Sequence, residues 1–488
     1  MNAIKKLFSA AEPCYCQNCL QEFSKLSTLG KNSGVRSVGK RSWGSVLLML
    51  SLLVAGDGNT GDKAIRDLRE LKQDPIAYID AATADQPLLP EDEQRNWNAA
   101  SDILHFLPWH MTNPRHTLEQ VSWGFKEYRN RPGYGRDGKP HPRDWVRKMA
   151  RNAHIDDYPQ GGFPAVTVQR IDFRVLPTRE RHLDSPRPPG KEYPFDNFQE
   201  SSAPPGTPVL VTHCSRDRKW LLVETSYALG WVPAADVAAV DAEFMQRWES
   251  GSYAVIVEDK VPIRDEAGTV HLRAPLGALF PKVGADAGST WILTAVRDGQ
   301  GKARLSKARV PTRAAADKPL RLTPRSVATV AAGLIGEPYG WGGLDAKRDC
   351  SAVIRDLFTP FGLWLPRNSR EQAEAGRFIS LRGRSPEEKQ TLIISRGVPW
   401  RTLLWTPGHI MLYIGVQQGR PLIFHSFWSV RTRDAAGNRG RVIVGRAAVT
   451  TLQPGREFSG RDVPRAGVEG MTLLGEPPEP GTSPVTAP

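Results

Sequence analysis

The run Asp349-Cys-Ser-Ala-Val-Ile-Arg-Asp-Leu-Phe358 decides the reading of this chain. Val353, Ile354, Leu357 and Phe358 recur at helical spacing, and Asp349 is of a type that caps helices by accepting from their first free N–H groups. A helix is therefore predicted to open at Cys350. There the helix dipole and unpaired N–H groups favour thiolate over thiol, so Cys350 is expected to be a nucleophile. The backbone N–H at the same helix start is the expected oxyanion donor. Just upstream, Gly336-Glu-Pro-Tyr-Gly-Trp-Gly-Gly343 reads as a loop.

A thiolate needs a base. Two strand-like runs downstream each carry a histidine: Gly408-His-Ile-Met-Leu-Tyr-Ile-Gly415 and Leu422-Ile-Phe-His-Ser426. His409 and His425 are sixteen residues apart. An even separation joined by an odd-length loop, such as Gln417-Gln-Gly419, puts both imidazoles on one face of a hairpin, because side chains alternate with period two. One can then hold the proton of Cys350 while the other fixes its tautomer. Taken singly, each residue also reads as packing: two satisfied core histidines and a small buried thiol. Taken together, the order of helix-start Cys, strand His and second strand His is that of a papain-like cysteine hydrolase.

Outward from this site, 488 residues are too many for one compact unit and correspond to three or four domains. Hydrophobic residues at 40% and charged residues at 24% exclude wholesale disorder and a polytopic membrane protein. Residues 57–155 read as a helical domain in which Leu118, Val121, Phe125 and Tyr128 recur at helical spacing behind a Thr117–Gln120 capping box. Trp97, Trp109, Trp123 and Trp145 are expected in its core. Residues 156–245 change to short strands (Val166-Thr-Val, Phe173-Arg-Val-Leu, Val209-Leu-Val-Thr, Lys219-Trp-Leu-Leu-Val, Gly230-Trp-Val-Pro), the pattern of a small β-barrel. Residues 246–315 carry a divergent second copy, with Ala254-Val-Ile-Val, Val261-Pro-Ile-Arg, Leu276-Gly-Ala-Leu-Phe-Pro and Trp291-Ile-Leu-Thr. The helix-then-strands domain occupies 320–470, and 471–488 read as a Pro-rich tail. The fold class is α+β.

Residues 1–56 read as a signal-like segment: Arg36, Lys40 and Arg41 precede the apolar run Ser45–Ala55, which is too short to span a membrane. No Cys comes directly after that run, which disfavours a lipid anchor, so an exported protein of the periplasm or cell envelope is expected, with no transmembrane span in the mature chain. Of five cysteines, Cys14, Cys16 and Cys19 lie before the run, where no fourth ligand accompanies them, so no metal is assigned. Cys214 reads as a packed strand residue. The net charge of +13 falls to about +8 beyond residue 56, a surface drawn to polyanions, but no nucleic-acid-binding signature accompanies it.

Four motifs carry a resemblance: Pro338-Tyr-Gly-Trp-Gly-Gly343, Asp349-Cys-Ser351, Leu365-Pro-Arg-Asn-Ser-Arg-Glu-Gln372 and Pro407-Gly-His-Ile-Met-Leu-Tyr-Ile-Gly415. At these residues the chain resembles the NlpC family of cell-wall cysteine peptidases, in the branch with an N-terminal helical domain and two bacterial SH3 domains. The resemblance implies hydrolysis of the γ-D-glutamyl–diamino acid bond of peptidoglycan stem peptides, with no metal or other cofactor. It implies Cys350 as nucleophile, His409 as base and His425 as third member. Tyr339 matches a tyrosine near the developing oxyanion, Trp341 a wall of the cleft, and Asp349, Ser351 and Ser369 an acceptor site for a free N-terminal L-Ala. The first SH3 barrel walls the groove in similar enzymes, which makes Tyr227 a candidate contact. Ala352 departs from the glycine that often follows Asp-Cys-Ser. An N-acetylmuramoyl-L-alanine amidase or a lipid-directed acyltransferase on the same fold, and a non-catalytic wall-binding protein, are the competing expectations.

Overall fold

The computed structural model describes residues 65–186, 195–433, 439–458 and 467–477. The signal-like segment 1–56, with Cys14, Cys16 and Cys19, lies outside the described residues, as does the tail beyond residue 477.

The first part is helical: α1 (Arg66–Glu70), a 3-10 turn at Pro75–Tyr78, α2 (Glu91–His110), α3 (Leu118–Glu127) and α4 (Trp145–Ala153). Thr117 and Gln120 form the reciprocal capping box at the start of α3. Val121, Phe125 and Tyr128 pack with Val146 and Met149 of α4 against Phe198 and Trp231. Leu118, the first residue of α3, falls outside this stripe and stays 40% exposed. Of the four tryptophans only Trp109 is fully buried; Trp97, Trp123 and Trp145 lie half-buried against the cores. Helix α2 ties this part to the rest of the molecule. Gln94 donates to Leu320 O at 2.7 Å and Phe361 O at 3.0 Å, and Trp109 Nε1 donates to Ala165 O at 2.6 Å.

Two barrels follow. The first contains β1 (Phe163–Thr167), β2 (Ile171–Arg174), β3 (Gln199–Ala203), β4 (Pro208–Cys214), β5 (Trp220–Glu224), β6 (Leu229–Pro233) and β7 (Val237–Ala239). After α5 (Ala242–Trp248) come β8 (Tyr253–Ile256), β9 (Val261–Asp265), β10 (Val270–Ala274), β11 (Leu279–Ala285), β12 (Ser289–Arg297), β13 (Ala303–Pro311) and β14 (Ala315–Asp317). The orders are β3-β2-β6-β5-β4-β1-β7 and β10-β9-β13-β12-β11-β8-β14, one the other shifted by seven strands. The same topology is therefore used twice in tandem.

The last part holds α6 (Pro324–Ala332), α7 (Cys350–Phe358), α8 (Ser369–Ala373), β15 (Arg377–Ser380) and α9 (Pro386–Arg396). Its remaining strands are β16 (Thr402–Thr406), β17 (His409–Gln417), β18 (Arg420–Arg433), β19 (Arg439–Thr451) and β20 (Gly470–Leu473), in the sheet order β15-β20-β16-β17-β18-β19. Both faces are covered. Ile410, Leu412 and Ile414 of β17 join Val327 of α6 and Val353 of α7 in one core, while Met411 and Tyr413 join Ile393 of α9 in another. Strand β20 pairs with both β15 and β16, which carries the sheet past residue 470, where the tail was expected to begin. Glu476 then pairs with Arg377 at 2.7 Å and Arg401 at 2.8 Å. The N-terminal arm covers the outer strand: Asp67 Oδ2 accepts from Thr451 N and Oγ1, each at 2.8 Å, and Gln73 exchanges two 3.0 Å bonds with the Val449 backbone. An otherwise open edge is thereby occupied.

Candidate active site

The loop before α7 is held by close approach to the first barrel. Gly342 has φ +61°, and a Cβ there would lie 2.6 Å from Gln199 O on β3, so only glycine fits. Gln199 Nε2 in turn donates to Gly342 O at 2.9 Å. Asp349 caps α7 as predicted: its Oδ1 accepts from Ala352 N and its Oδ2 from Gly342 N, both at 2.9 Å. The N–H of Cys350, first in the helix, has no intrahelical acceptor.

Arg367 completes this corner. Its Nη2 and Nη1 hold Asp349 Oδ2 and Oδ1 at 2.6 and 3.1 Å, Nη1 also reaches Ser351 Oγ at 2.8 Å, and Nε reaches Ser201 Oγ on β3 at 2.8 Å. Burial alone would raise the Asp349 carboxyl, but the guanidinium charge and these hydrogen bonds hold it below the usual carboxylate range. Asp349 and Ser351, expected to shape an acceptor site for a substrate amine, are thus held in place by a buried cation. Gln372 Nε2 fixes the same corner by donating to Ser351 O at 2.8 Å and Pro366 O at 2.9 Å. Ser369, half-buried, begins the five-residue helix α8.

Cys350 is 8% exposed. Burial, with the Asp349 carboxylate beside it, pushes its thiol up to about 12, while hydrogen bonds from the Ile410 and Ser351 backbone act the other way. Desolvation of the closed site thus works against the helix dipole at this thiol.

His409 and His425 meet directly, Nε2 of the first lying 2.8 Å from Nδ1 of the second. The hairpin achieves this differently from the expected odd loop. The turn is two residues, Gln418 and Gly419, with φ +51° and +73°. With that turn alone the imidazoles would face opposite sides. A bulge between Tyr413 and Gly415, where Gly415 takes φ +137°, shifts the register by one and restores the shared face. Burial holds the His409 imidazole down to about 4 and lowers that of His425 well below the ordinary histidine value, so both are neutral at neutral pH. His425 Nε2 lies 2.9 Å from Thr450 Oγ1, whose own proton goes to Thr451 O at 2.8 Å. With that proton on Thr451 O, Thr450 accepts from His425 Nε2–H. That leaves His425 Nδ1 as acceptor, so His409 Nε2–H donates to it and His409 Nδ1 carries a free lone pair. No hydrogen bond joins Cys350 to His409 among the described contacts; the sulfur meets the backbone of the next residue, Ile410.

Tyr339 and Trp341 stand in an aromatic group with Phe195 and Trp428: Phe195 lies 6.0 Å from Tyr339, 5.4 Å from Trp341 and 6.4 Å from Trp428, centroid to centroid. Tyr227 is not among the residues brought to Cys350. Its hydroxyl donates to Ser202 O at 3.1 Å, and the Arg355 guanidinium lies 4.1 Å over its ring. Sequence reasoning missed Thr450, Phe195 and Trp428, which no local pattern marks. Arg367 and Gln372 stood inside a quoted motif without being singled out.

Four family models match: the NlpC/P60 N-terminal stabilising domain over residues 45–158, an SH3 domain of SH3b1 type over 181–233, one of SH3b2 type over 241–287, and NlpC/P60 over 336–427. Among solved structures, an NlpC/P60 endopeptidase from Photobacterium damselae subsp. piscicida is similar at 26% identity and TM-score 0.75, covering 84% of this chain and 98% of that one. An NlpC/P60 family protein from Bacillus cereus aligns at 14% identity and TM-score 0.39, over 59% of this chain and 98% of that one. The peptidoglycan hydrolase RipB from Mycobacterium tuberculosis aligns at 22% and 0.15, over 26% and 61%. Comparison with curated proteins gives no match. Taken with a cysteine at a helix start and paired histidines on adjacent strands, the model matches and the 26% identical endopeptidase show that residues 336–427 form a peptidase domain of the NlpC/P60 family, preceded by that family's N-terminal stabilising domain and two SH3 domains.

Proposed function

We propose that this protein hydrolyses the bond between the γ-carboxyl of D-Glu and the diamino acid in peptidoglycan stem peptides, with Cys350 as nucleophile and His409 as base. The observation that carries the catalytic assignment is the Thr450–His425–His409 chain, which leaves a lone pair on His409 Nδ1 at the strand end touching Cys350. The choice of bond follows the family resemblance.

Proton transfer requires the S–H to reach His409 Nδ1, and catalytic hydrogen bonds commonly tighten only when substrate is bound. His409 takes the proton as sulfur attacks the γ-carbonyl carbon. The tetrahedral oxyanion is held by the Cys350 backbone N–H and the Tyr339 hydroxyl. The carbon–nitrogen bond breaks, His409 protonates the leaving amine, and a γ-glutamyl thioester remains. Water, deprotonated by His409, then releases the acid and regenerates the thiol. His425 and Thr450 hold the tautomer throughout, while Trp341 and Phe195 wall the cleft. Export to the periplasm or cell envelope is part of this reading.

The deciding experiment is mass spectrometry of products from defined muropeptides and free stem peptides, using wild type beside Cys350→Ala. Release of L-Ala-D-Glu by wild type alone supports the proposal. A stem freed at its lactyl bond would make the enzyme an amidase, and binding to sacculi without cleavage by either protein would leave a wall-binding module. With Asp349 committed to Arg367, a preference for a free N-terminal L-Ala rests on resemblance, and equal rates on free tripeptide and intact sacculi would remove it.

A further inference from the structure

A cavity of about 220 Å3 lies where the helical part, both barrels and the peptidase part meet. It is bordered by Ala352, Arg355 and Asp356 of α7 and by Thr359 just after it, which at about 100° per residue lie on the side opposite Cys350. Cys350, His409 and His425 do not line it.

Seven Lys or Arg side chains line this cavity against two Asp. Most are matched. Arg170 holds Asp172 at 2.9 Å, Lys318 holds Asp102, and Lys347 lies 4.0 Å from Asp345. Arg348 alone takes up three carboxylates, those of Asp259, Glu337 and Asp356, at 2.9, 2.6 and 2.7 Å.

That leaves donors over. At the exposed rim, Lys260 and Arg273 have no carboxylate partner among the described residues, and Arg273 Nη1 reaches only Lys260 O at 3.4 Å. Deeper in, Arg355 is 8% exposed. Its Nε and Nη2 hold Asp356 Oδ1 at 3.1 and 2.9 Å, but its buried Nη1 has no acceptor among the described residues. A buried guanidinium N–H without an acceptor is costly, and such groups are nearly always satisfied. Tyr227 covers one face of the guanidinium and Asp356 its edge, and Arg355 borders the cavity.

We infer that this junction cavity is an oxyanion-binding site, taking the phosphate or carboxylate group of a small ligand between Arg355 inside and Lys260 and Arg273 at the rim. Oxygens arranged around phosphorus or carbon accept from several fixed N–H groups at once, in the geometry a guanidinium favours. The site is separate from the thiol cleft and does not rest on the peptidase reading.

Isothermal titration of the full chain with inorganic phosphate, and separately with acetate, at constant ionic strength tests the inference. Saturable phosphate binding is expected, weakened about tenfold or more in Lys260→Ala/Arg273→Ala, the loss of at least one charge-assisted hydrogen bond. The two residues are exposed, so this variant should fold, and circular dichroism and retained hydrolysis would show it. Arg355→Gln should weaken binding as well. Phosphate binding without acetate assigns a phosphoryl ligand, and binding of both assigns a general oxyanion site; either result supports the inference. Absence of saturable binding, or equal affinity in wild type and the rim variant, overturns it.

Discussion

Replacing Thr450 with valine tests the site at its least conspicuous member. Thr450 is fully buried on β19, where a β-branched residue of nearly equal volume fits without repacking. The change removes one atom group that matters: the hydroxyl oxygen accepting from His425 Nε2 at 2.9 Å. His425 is 2% exposed, so water cannot readily replace it. Leaving that N–H without a partner costs about 1–3 kcal/mol. The imidazole escapes the cost by moving its proton to Nδ1, where it donates to His409 Nε2, and His409 must then carry its own proton on Nδ1, facing Cys350. In that tautomer it cannot act as a base. Shifting the balance by about 1–3 kcal/mol corresponds to about a fivefold to 150-fold fall in kcat. KM should change little, since Thr450 is fully buried and has no exposed atom for a peptide to touch. Thr450→Ser keeps the acceptor and should stay close to wild type. Stopped assays of stem-peptide cleavage, beside 15N shifts of the two imidazoles, read both effects. Wild-type kcat in a well-folded Thr450→Val protein would refute the reasoning, and so would a serine variant as slow as the valine one.

Other consequences follow from the same contacts. His409, held near 4, and His425, also depressed, bind protons less readily folded than unfolded, so stability is present in full above about pH 6.5 and falls as pH drops toward 4; urea midpoints across that range would show it. Activity should persist to nearly pH 4 on the acid side, and iodoacetamide should label Cys350 slowly at neutral pH, with labelling rising in alkali; an apparent thiol pKa near 7 would contradict the burial argument. Arg367→Met strands a buried carboxylate at Asp349 and should lower unfolding free energy by about 3–5 kcal/mol, measured by denaturant titration. Gly342→Ala drives a methyl group into β3 and a strained φ, and should cost about 1–3 kcal/mol and loosen the barrel from the peptidase part, seen as faster proteolysis between residues 317 and 324.

Much of this molecule is legible from local pattern. The helix at Cys350, its Asp349 cap, the Thr117 capping box and the apolar strands of both barrels all depend on neighbours within a few residues, and those neighbours are visible in the chain. The polar strands were not visible. Gln199–Ala203 and Ala303–Pro311 carry too few apolar residues to announce themselves, and they are strands because β2, β9 and β12 supply their partners. The same holds for Gly470–Leu473, drawn into the sheet between β15 and β16.

The sequence by itself determined which chemistry was possible: a cysteine at a helix start and two histidines on successive strands, because residue type and short-range period are local properties. Only the tertiary structure decided how those groups are charged and turned. Burial keeps the thiol protonated, a bulge at Gly415 sets both imidazoles on one face, Arg367 from a distant loop claims Asp349, and Thr450, twenty-five residues beyond His425, dictates where the protons sit. Desolvation and hydrogen-bond direction depend on everything packed around a group, and that is assembled only when the chain folds.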